Sequence, residues 1–281
     1  MADNKQRRKD AMKELDRELH RRERAEKTKP LGVVLATLAI LAVIGGGIWV
    51  LTTWGSEDEA TDVDTTAAEQ TPEPQDATPL AMKRAQPLGE TVTCDYTDTG
   101  DGVKDVDLPS GTDVPATGTV TVTLQTTAGE IPMELDRALS PCAVNSVVHL
   151  AESGFYDDVI CHRLTEGGIF VLQCGDPAGN GTGGPGYSFA DEYPVDEADN
   201  GAAQQVIYPE GSIAMANSGP NTNGSQFFLN YADGTLPPSY SVLGMMSDEG
   251  LQTVKGVADK GTEEGSETPK EEVRITGVTV K

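Results

Sequence analysis

Residues 31–51, LGVVLATLAILAVIGGGIWVL, run for 21 positions without a charge, and no other feature constrains the chain as strongly. At 1.5 Å per residue a helix of that length reaches roughly 30 Å, the thickness of the hydrocarbon core of a bilayer. A helix buried in a soluble core would show a polar side, and this run has none. A cleaved signal peptide would carry a shorter apolar run followed by small residues, whereas Trp49 and Trp54 close this one as an interfacial aromatic anchor does. The pattern therefore predicts one transmembrane helix over 31–51. Residues 1–30 hold 11 Lys and Arg against 7 Asp and Glu. By the positive-inside rule the N-terminus is cytoplasmic, and everything after residue 51 is extracytoplasmic at the cell membrane.

The whole chain carries a net charge of −24 although its first 30 residues are net positive. So acidic a remainder would repel phosphates, which excludes nucleic acid as a partner. Within the cytoplasmic segment, Glu18 with Arg22 and Glu23 with Lys27 stand at i,i+4, the spacing that supports a solvated charged helix. Its thin stripe of Met12, Leu15 and Leu19 leaves a partner helix or the inner leaflet as alternatives. Residues 52–116 are rich in Asp, Glu, Thr, Pro and Gly, and 15 acidic residues fall in 55–115. Such a stretch buries too little apolar surface to offset its ordering entropy, which predicts a disordered linker.

Cys94, Cys142, Cys161 and Cys174 all follow the membrane span. An even count in an oxidising compartment favours disulfides, and no CxxC or HxxxH spacing supports a metal. Four cysteines allow three connectivities. Cys161 and Cys174 flank a predicted hairpin and face each other across it, which leaves Cys94 for Cys142. That second bridge would tie the far end of the linker onto the folded part.

Core-forming density begins near residue 117. Val120, Val122 and Leu124 alternate with Thr, and Ile131, Met133 and Leu135 alternate after a turn, so 119–125 and 131–135 form a hairpin with one buried face. Ser140 and Pro141 supply an N-cap and an N1 proline, Val144, Val147, Val148 and Ala151 a helical stripe, and Gly154 the C′ stop. A second hairpin spans 159–165 and 169–174. Residues 175–186 hold six Gly, but they lack the Lys-Ser/Thr of a phosphate-binding loop. Further short strands fall at 211–216, 225–230, 241–246 and 272–280, with a second helix through Leu251, Val254 and Val257 or Ala258. Many short strands with two helices point to a closed antiparallel barrel.

His162-Arg163, Phe170 to Gln173 with Gly175-Asp176, Gly183-Gly184, Met215-Ala216-Asn217, and above all the ten residues GPNTNGSQFF at 219–228 resemble the cyclophilin family of peptidyl-prolyl isomerases. The resemblance covers about 119–281. It implies a mainly β domain over 117–281, a closed eight-stranded antiparallel barrel capped by two helices, with the substrate groove on the outside. Cys142, Cys161 and the sequence LQCGD resemble the envelope-anchored bacterial branch. The resemblance further implies isomerisation of X–Pro bonds in extracytoplasmic polypeptides, without cofactor or metal. The alternative is a catalytically weak module of the same fold that binds proline-containing peptides.

The chemistry fits such a residue set. Rotation about X–Pro crosses a barrier of roughly 18–20 kcal/mol because amide resonance is lost, and it transfers no group. A donor near the prolyl nitrogen helps as the lone pair localises, and Arg offers a permanent charge with a rigid fork of N–H groups. By motif position Arg163 is the catalytic residue. Phe170, Val171, Phe228 and Leu236 line the proline pocket, and Val171 stands where the family commonly has Met. Gln173 orients Arg163 and the substrate backbone, Asn217 hydrogen-bonds the peptide main chain, and Ala216, Gln226 and Tyr240 complete the binding surface. Tyr240 takes a position where eukaryotic members often have His. Thr235-Leu236 stands where eukaryotic cyclophilins have Trp-Leu, so the resemblance implies at most weak cyclosporin binding. His162 is expected to be structural, since the reaction moves no proton.

Overall fold

The computed structural model describes residues 77–198 and 205–281. The charged N-terminal helix, the membrane span at 31–51 and the first part of the linker lie outside the described residues. No helix among the described residues is long and apolar enough to cross a membrane.

Eight strands make one curled antiparallel sheet. They are β1 (Thr119–Thr126), β2 (Gly129–Asp136), β3 (Arg163–Leu164), β4 (Val171–Cys174), β5 (Ser212–Met215), β6 (Phe227–Asn230), β7 (Val242–Met246) and β8 (Ile275–Val280). Their spatial order is β8-β1-β2-β7-β5-β6-β4-β3. The period-2 pattern places Val120, Val122, Leu124, Ile131, Met133 and Leu135 on the concave side, all buried. Two helices fill that concavity. Helix α1 (Pro141–Glu152) contributes Val144, Val147 and Leu150, and α2 (Asp248–Ala258) contributes Val254 and Val257. Each side chain buried to this degree contributes roughly 1.5–3 kcal/mol.

The closed barrel expected from the sequence is corrected to an open, curled sheet. Strands β3 and β8 form no ladder. The chain before β3 instead reaches the last strand through a bridge between Ile160 and Arg274, with Cys161 N donating to Val273 O and Ile275 N to Val159 O. The run 159–164 is thus divided between two neighbours, and β3 is left only two residues long.

The expected N-cap is corrected as well. Ser140 makes no side-chain cap bond and its buried hydroxyl has no partner among the described residues. The carboxylate of Glu192 takes that place, accepting from Cys142 N at 3.1 Å and Ala143 N at 2.8 Å. Burial pushes Glu192 up to about 7, against the pull of those two amides and of Arg84. At α2, by contrast, Ser247 caps as its residue type predicts, accepting from Gly250 N.

Residues 77–116 do not behave as the disordered linker their composition suggests. Thr78–Pro79 pairs in parallel with Val206–Ile207, Thr91–Val92 pairs with Val114–Pro115, and Tyr96–Asp98 adds a strand to Tyr187–Phe189. Arg84 is buried, donating to Leu139 O at 2.9 Å and to Asp196 at 2.7 Å. Cys94 is joined to Cys142, and Cys161 to Cys174, the connectivity the hairpin geometry suggested. Leu80 and Met82 pack against a second apolar cluster on the convex face of the sheet, around Val171, Tyr193, Tyr208 and Phe228.

Candidate active site

The convex face is where the outward positions of β4, β5 and β6 meet the hairpin carrying Leu236. A pocket of about 330 Å³ opens there, lined by Arg163, Ile169, Val171, Gln173, Ala216, Asn217, Phe228, Leu236 and Tyr240 together with His162, Asn180 and Gly181. Val171 and Phe228 form its buried apolar floor. Tyr240 stands edge-on to Phe228 at 5.4 Å, and Tyr208 supports both from below, its hydroxyl donating to Tyr240 O at 3.0 Å.

Arg163 enters from β3, paired in register with Gln173 of β4. Its Nε donates to Glu267 Oε2 at 2.6 Å and Nη2 to Oε1 at 3.4 Å, while Nη1 reaches Gln173 Oε1 at 3.4 Å. Gln173 Nε2 donates onward to Gln226 Oε1 at 2.9 Å, and Gln226 Nε2 donates to the carbonyls of Gly181 and Gly183. A continuous chain of hydrogen bonds therefore runs from Glu267 through Arg163, Gln173 and Gln226 into the glycine-rich loop. The hydrogen bond from Arg163 holds the Glu267 carboxyl below the usual carboxylate range.

That loop is ordered by Asp176, a buried carboxylate that accepts from the amides of Ala178 (2.7 Å), Asn180 (2.9 Å) and Gly181 (2.6 Å). Burial alone would raise its pKa, but these amides and that of Gly183 outweigh it and hold the carboxyl below its ordinary value. Two glycines are required by this packing. A Cβ at Gly175, whose φ is +92°, would stand 2.3 Å from Ser225 O, and one at Gly183 would stand 2.1 Å from Asp176 Oδ1. Beside the loop, neither ring nitrogen of His162 has a hydrogen-bond partner among the described residues; burial pushes its pKa down, against the pull of Asp176. Among the described residues no cluster of three His, Cys, Asp or Glu side chains could hold a metal ion.

Eight of the ten site residues expected from the sequence line this one pocket, and Gln226 lies in an adjoining cavity. Phe170 is the exception. The pleat sends Ile169, Val171 and Gln173 toward the pocket, and Phe170 stacks edge-on against Tyr231 at 5.9 Å instead. Asn217 lines the pocket, but its side chain is engaged internally, Nδ2 donating to Ser239 O at 2.8 Å and Oδ1 accepting from Gly219 N. Glu267, Ile169, Asn180 and Gly181 are the residues that sequence reasoning missed. Glu267 stands 104 positions from its partner in a polar loop and gives no local signal, whereas strict alternation with Val171 and Gln173 would have found Ile169.

The pocket is an apolar hollow on a curled β-sheet with an Arg at its rim. The chain belongs to the cyclophilin-type peptidyl-prolyl cis-trans isomerase family, whose model, described as cyclophilin type peptidyl-prolyl cis-trans isomerase/CLD, matches residues 121–280. Its relatives include the probable peptidyl-prolyl cis-trans isomerase B of Mycobacterium tuberculosis strain CDC 1551 / Oshkosh, 48% identical over 193 residues. That alignment takes in 66% of this chain and 63% of the relative, so the chain spans somewhat less than two thirds of that protein's length. The peptidyl-prolyl cis-trans isomerase B of Streptomyces anulatus is 38% identical over 176 residues, covering 57% of this chain and 95% of that one.

Proposed function

We propose that this chain is a peptidyl-prolyl cis-trans isomerase that accelerates rotation about X–Pro bonds in extracytoplasmic polypeptides. The observation that carries the reading is Arg163 at the rim of a pocket whose floor, Val171 and Phe228, is apolar and buried. The pocket holds the proline ring while the residue before it turns. Arg163 donates to the prolyl nitrogen, and the donation strengthens as the lone pair localises, so the transition state gains more than the ground state. Gln173 and Glu267 set the plane of the guanidinium. The names of the relatives support the same reaction.

The run at 31–51 tethers this domain to the outer side of the cell membrane. The tether is tested by fractionation: the full chain sediments with membranes and its domain is cut by protease added outside, whereas deletion of 31–51 releases it. Recovery of the intact chain in the soluble fraction removes the tether from the reading.

A second reading has one observation in its favour. Glu267 already occupies two donors of Arg163, which suits a module that binds proline-containing segments and turns them over slowly. A protease-coupled isomerisation assay separates the two. Turnover well above the uncatalysed rate supports the enzyme, and saturable peptide binding without turnover supports the module.

A further inference from the structure

The wall of the proline pocket that carries Leu236 does not belong to the eight-stranded sheet. Gly234–Leu236 pairs antiparallel with Val206–Tyr208, and Val206–Tyr208 pairs in parallel with Thr78–Pro79. Among the described residues this three-stranded sheet shares no ladder with the larger one. The register sets Thr78, Val206 and Leu236 in one row and Pro79, Ile207 and Thr235 in the next. The middle strand also carries Tyr208, whose hydroxyl donates to the carbonyl of Tyr240, another residue of the pocket. A sheet of two short strands is marginal in water, and a third strand with an apolar face is what lets it persist. Here the third strand comes from outside residues 121–280, the part that matches the family.

Long-range contacts seat that strand. Leu80 N donates to Ile207 O at 2.8 Å, and Leu80 and Met82 pack on the apolar cluster that includes Val171 and Phe228, the pocket floor. The Tyr193 hydroxyl donates to Ala81 O, and the Arg84 guanidinium lies over the Tyr193 ring, 5.8 Å from its centroid. Arg84 is the pin. It is buried, with Nε donating to Leu139 O at 2.9 Å and Nη1 to Asp196 Oδ2 at 2.7 Å, while Glu197 accepts from Ala85 N at 3.0 Å. A buried guanidinium is tolerated only where partners meet it, so this pairing holds the segment in one place.

We propose that residues 78–84 form part of the isomerase site, with Leu80 and Arg84 as positioning residues that hold Leu236 against the proline ring. The inference rests on the reading of the pocket as a proline site. Neither residue lines the pocket. Arg84 locks the segment, Leu80 ties it to Ile207, and the ladder carries the placement across to Leu236. Arg163 and Gln173 stand on strands of the other sheet, so the segment governs how tightly proline is held and leaves the donor alone. The working domain therefore begins ahead of the residues that the family shares.

The test uses the full chain and a chromogenic peptide with one Pro in an Ala host, in the protease-coupled assay. Leu80→Ala and Arg84→Met each raise KM by about tenfold, the low end of what one apolar group in a pocket is worth, and leave kcat within about twofold. Arg84→Lys keeps a cation for Asp196 and loses less. Lys104→Met is the control: Lys104 clamps a later stretch of the extension, donating to Phe155 O at 2.8 Å and Asp157 O at 2.6 Å, and bonds to no residue that lines the pocket. It lowers the urea midpoint without moving KM. Because KM does not depend on the amount of folded enzyme, partial unfolding lowers the apparent kcat alone and cannot imitate the result. A KM unchanged in both Leu80→Ala and Arg84→Met overturns the proposal, as does an equal rise in Lys104→Met. Wild type without turnover overturns the enzymatic reading instead. The variants are then compared by peptide affinity in fluorescence anisotropy, where weaker binding in Leu80→Ala and Arg84→Met alone supports the positioning role and equal affinities overturn it.

Discussion

Replacing Arg163 by Ala removes the one group to which the proposed mechanism assigns the chemistry, and the structure bounds the loss. A guanidinium has five N–H donors. Three are engaged, two by Glu267 and one by Gln173, which leaves two for substrate. A hydrogen bond involving a charged group is worth about 1.5–3 kcal/mol net. If one such bond forms only as the X–Pro amide twists, Arg163→Ala lowers kcat/KM by roughly 10- to 150-fold, mostly through kcat. Arg163→Lys keeps the charge but loses the fork, and falls between Ala and wild type. Glu267 acts through Arg163. Its ion pair is exposed, with side chains 38% and 57% accessible, and such a pair is worth at most about 1 kcal/mol. Glu267→Ala therefore costs no more than about fivefold, and costs nothing further in the Arg163→Ala background. The assay is protease-coupled isomerisation with kcat and KM resolved. An Arg163→Ala variant within twofold of wild type would refute the donor role. A Glu267→Ala loss as large as that of Arg163→Ala would show that the carboxylate does more than position.

Three further outcomes follow from the packing. The Cys94–Cys142 bridge spans 48 residues and Cys161–Cys174 spans 13, for which chain entropy gives about 4 and about 3 kcal/mol. Denaturant titration should find the first Ser–Ser variant the less stable, and equal midpoints for wild type and both variants would contradict this account. Glu192 has a folded pKa of about 7, above its ordinary value of 4.5. The folded state therefore binds more protons than the unfolded one across that window, and this contribution to stability is complete below about pH 4.5 and is lost as pH rises through 7. Glu192→Gln should flatten that slope in pH-dependent melting, and an unchanged slope would remove Glu192 as its source. At Gly183 a Cβ would strike Asp176 Oδ1, so Gly183→Ala should cost about 1–3 kcal/mol. At Gly184 a Cβ meets nothing within 4 Å, so Gly184→Ala should stay within about 0.5 kcal/mol; equal effects at the two positions would refute the cradle.

The parts of the fold that were legible in the sequence are those whose pattern is local. Strands β1 and β2 are eight residues each and alternate strictly, so the residues alone identify their buried face. The GPNTNGSQFF run carried the family, and with it most of the pocket. Where the pattern and the resemblance disagreed, the pattern was the better guide: alternation about Val171 puts Phe170 away from the pocket, although the family motif suggested otherwise. Closure of the sheet had no such signal, because it depends on which neighbour the short run 159–164 chooses.

The extension was illegible for a different reason. Its strands at Thr78–Pro79, Thr91–Val92 and Tyr96–Asp98 are two or three residues long, too short for any period, and their acidic, Pro-rich setting has the composition of a linker. What orders them is long-range: Arg84 reaching Asp196, Tyr96 set against Tyr187 and Phe189, and Cys94 bonded to Cys142. Composition reports how much apolar surface a segment brings, but not the surface that a neighbouring domain offers to it. The only sequence feature that pointed beyond composition was Cys94, a cysteine in a stretch with little else to bury, and it marks the segment that pairs with Tyr187–Phe189.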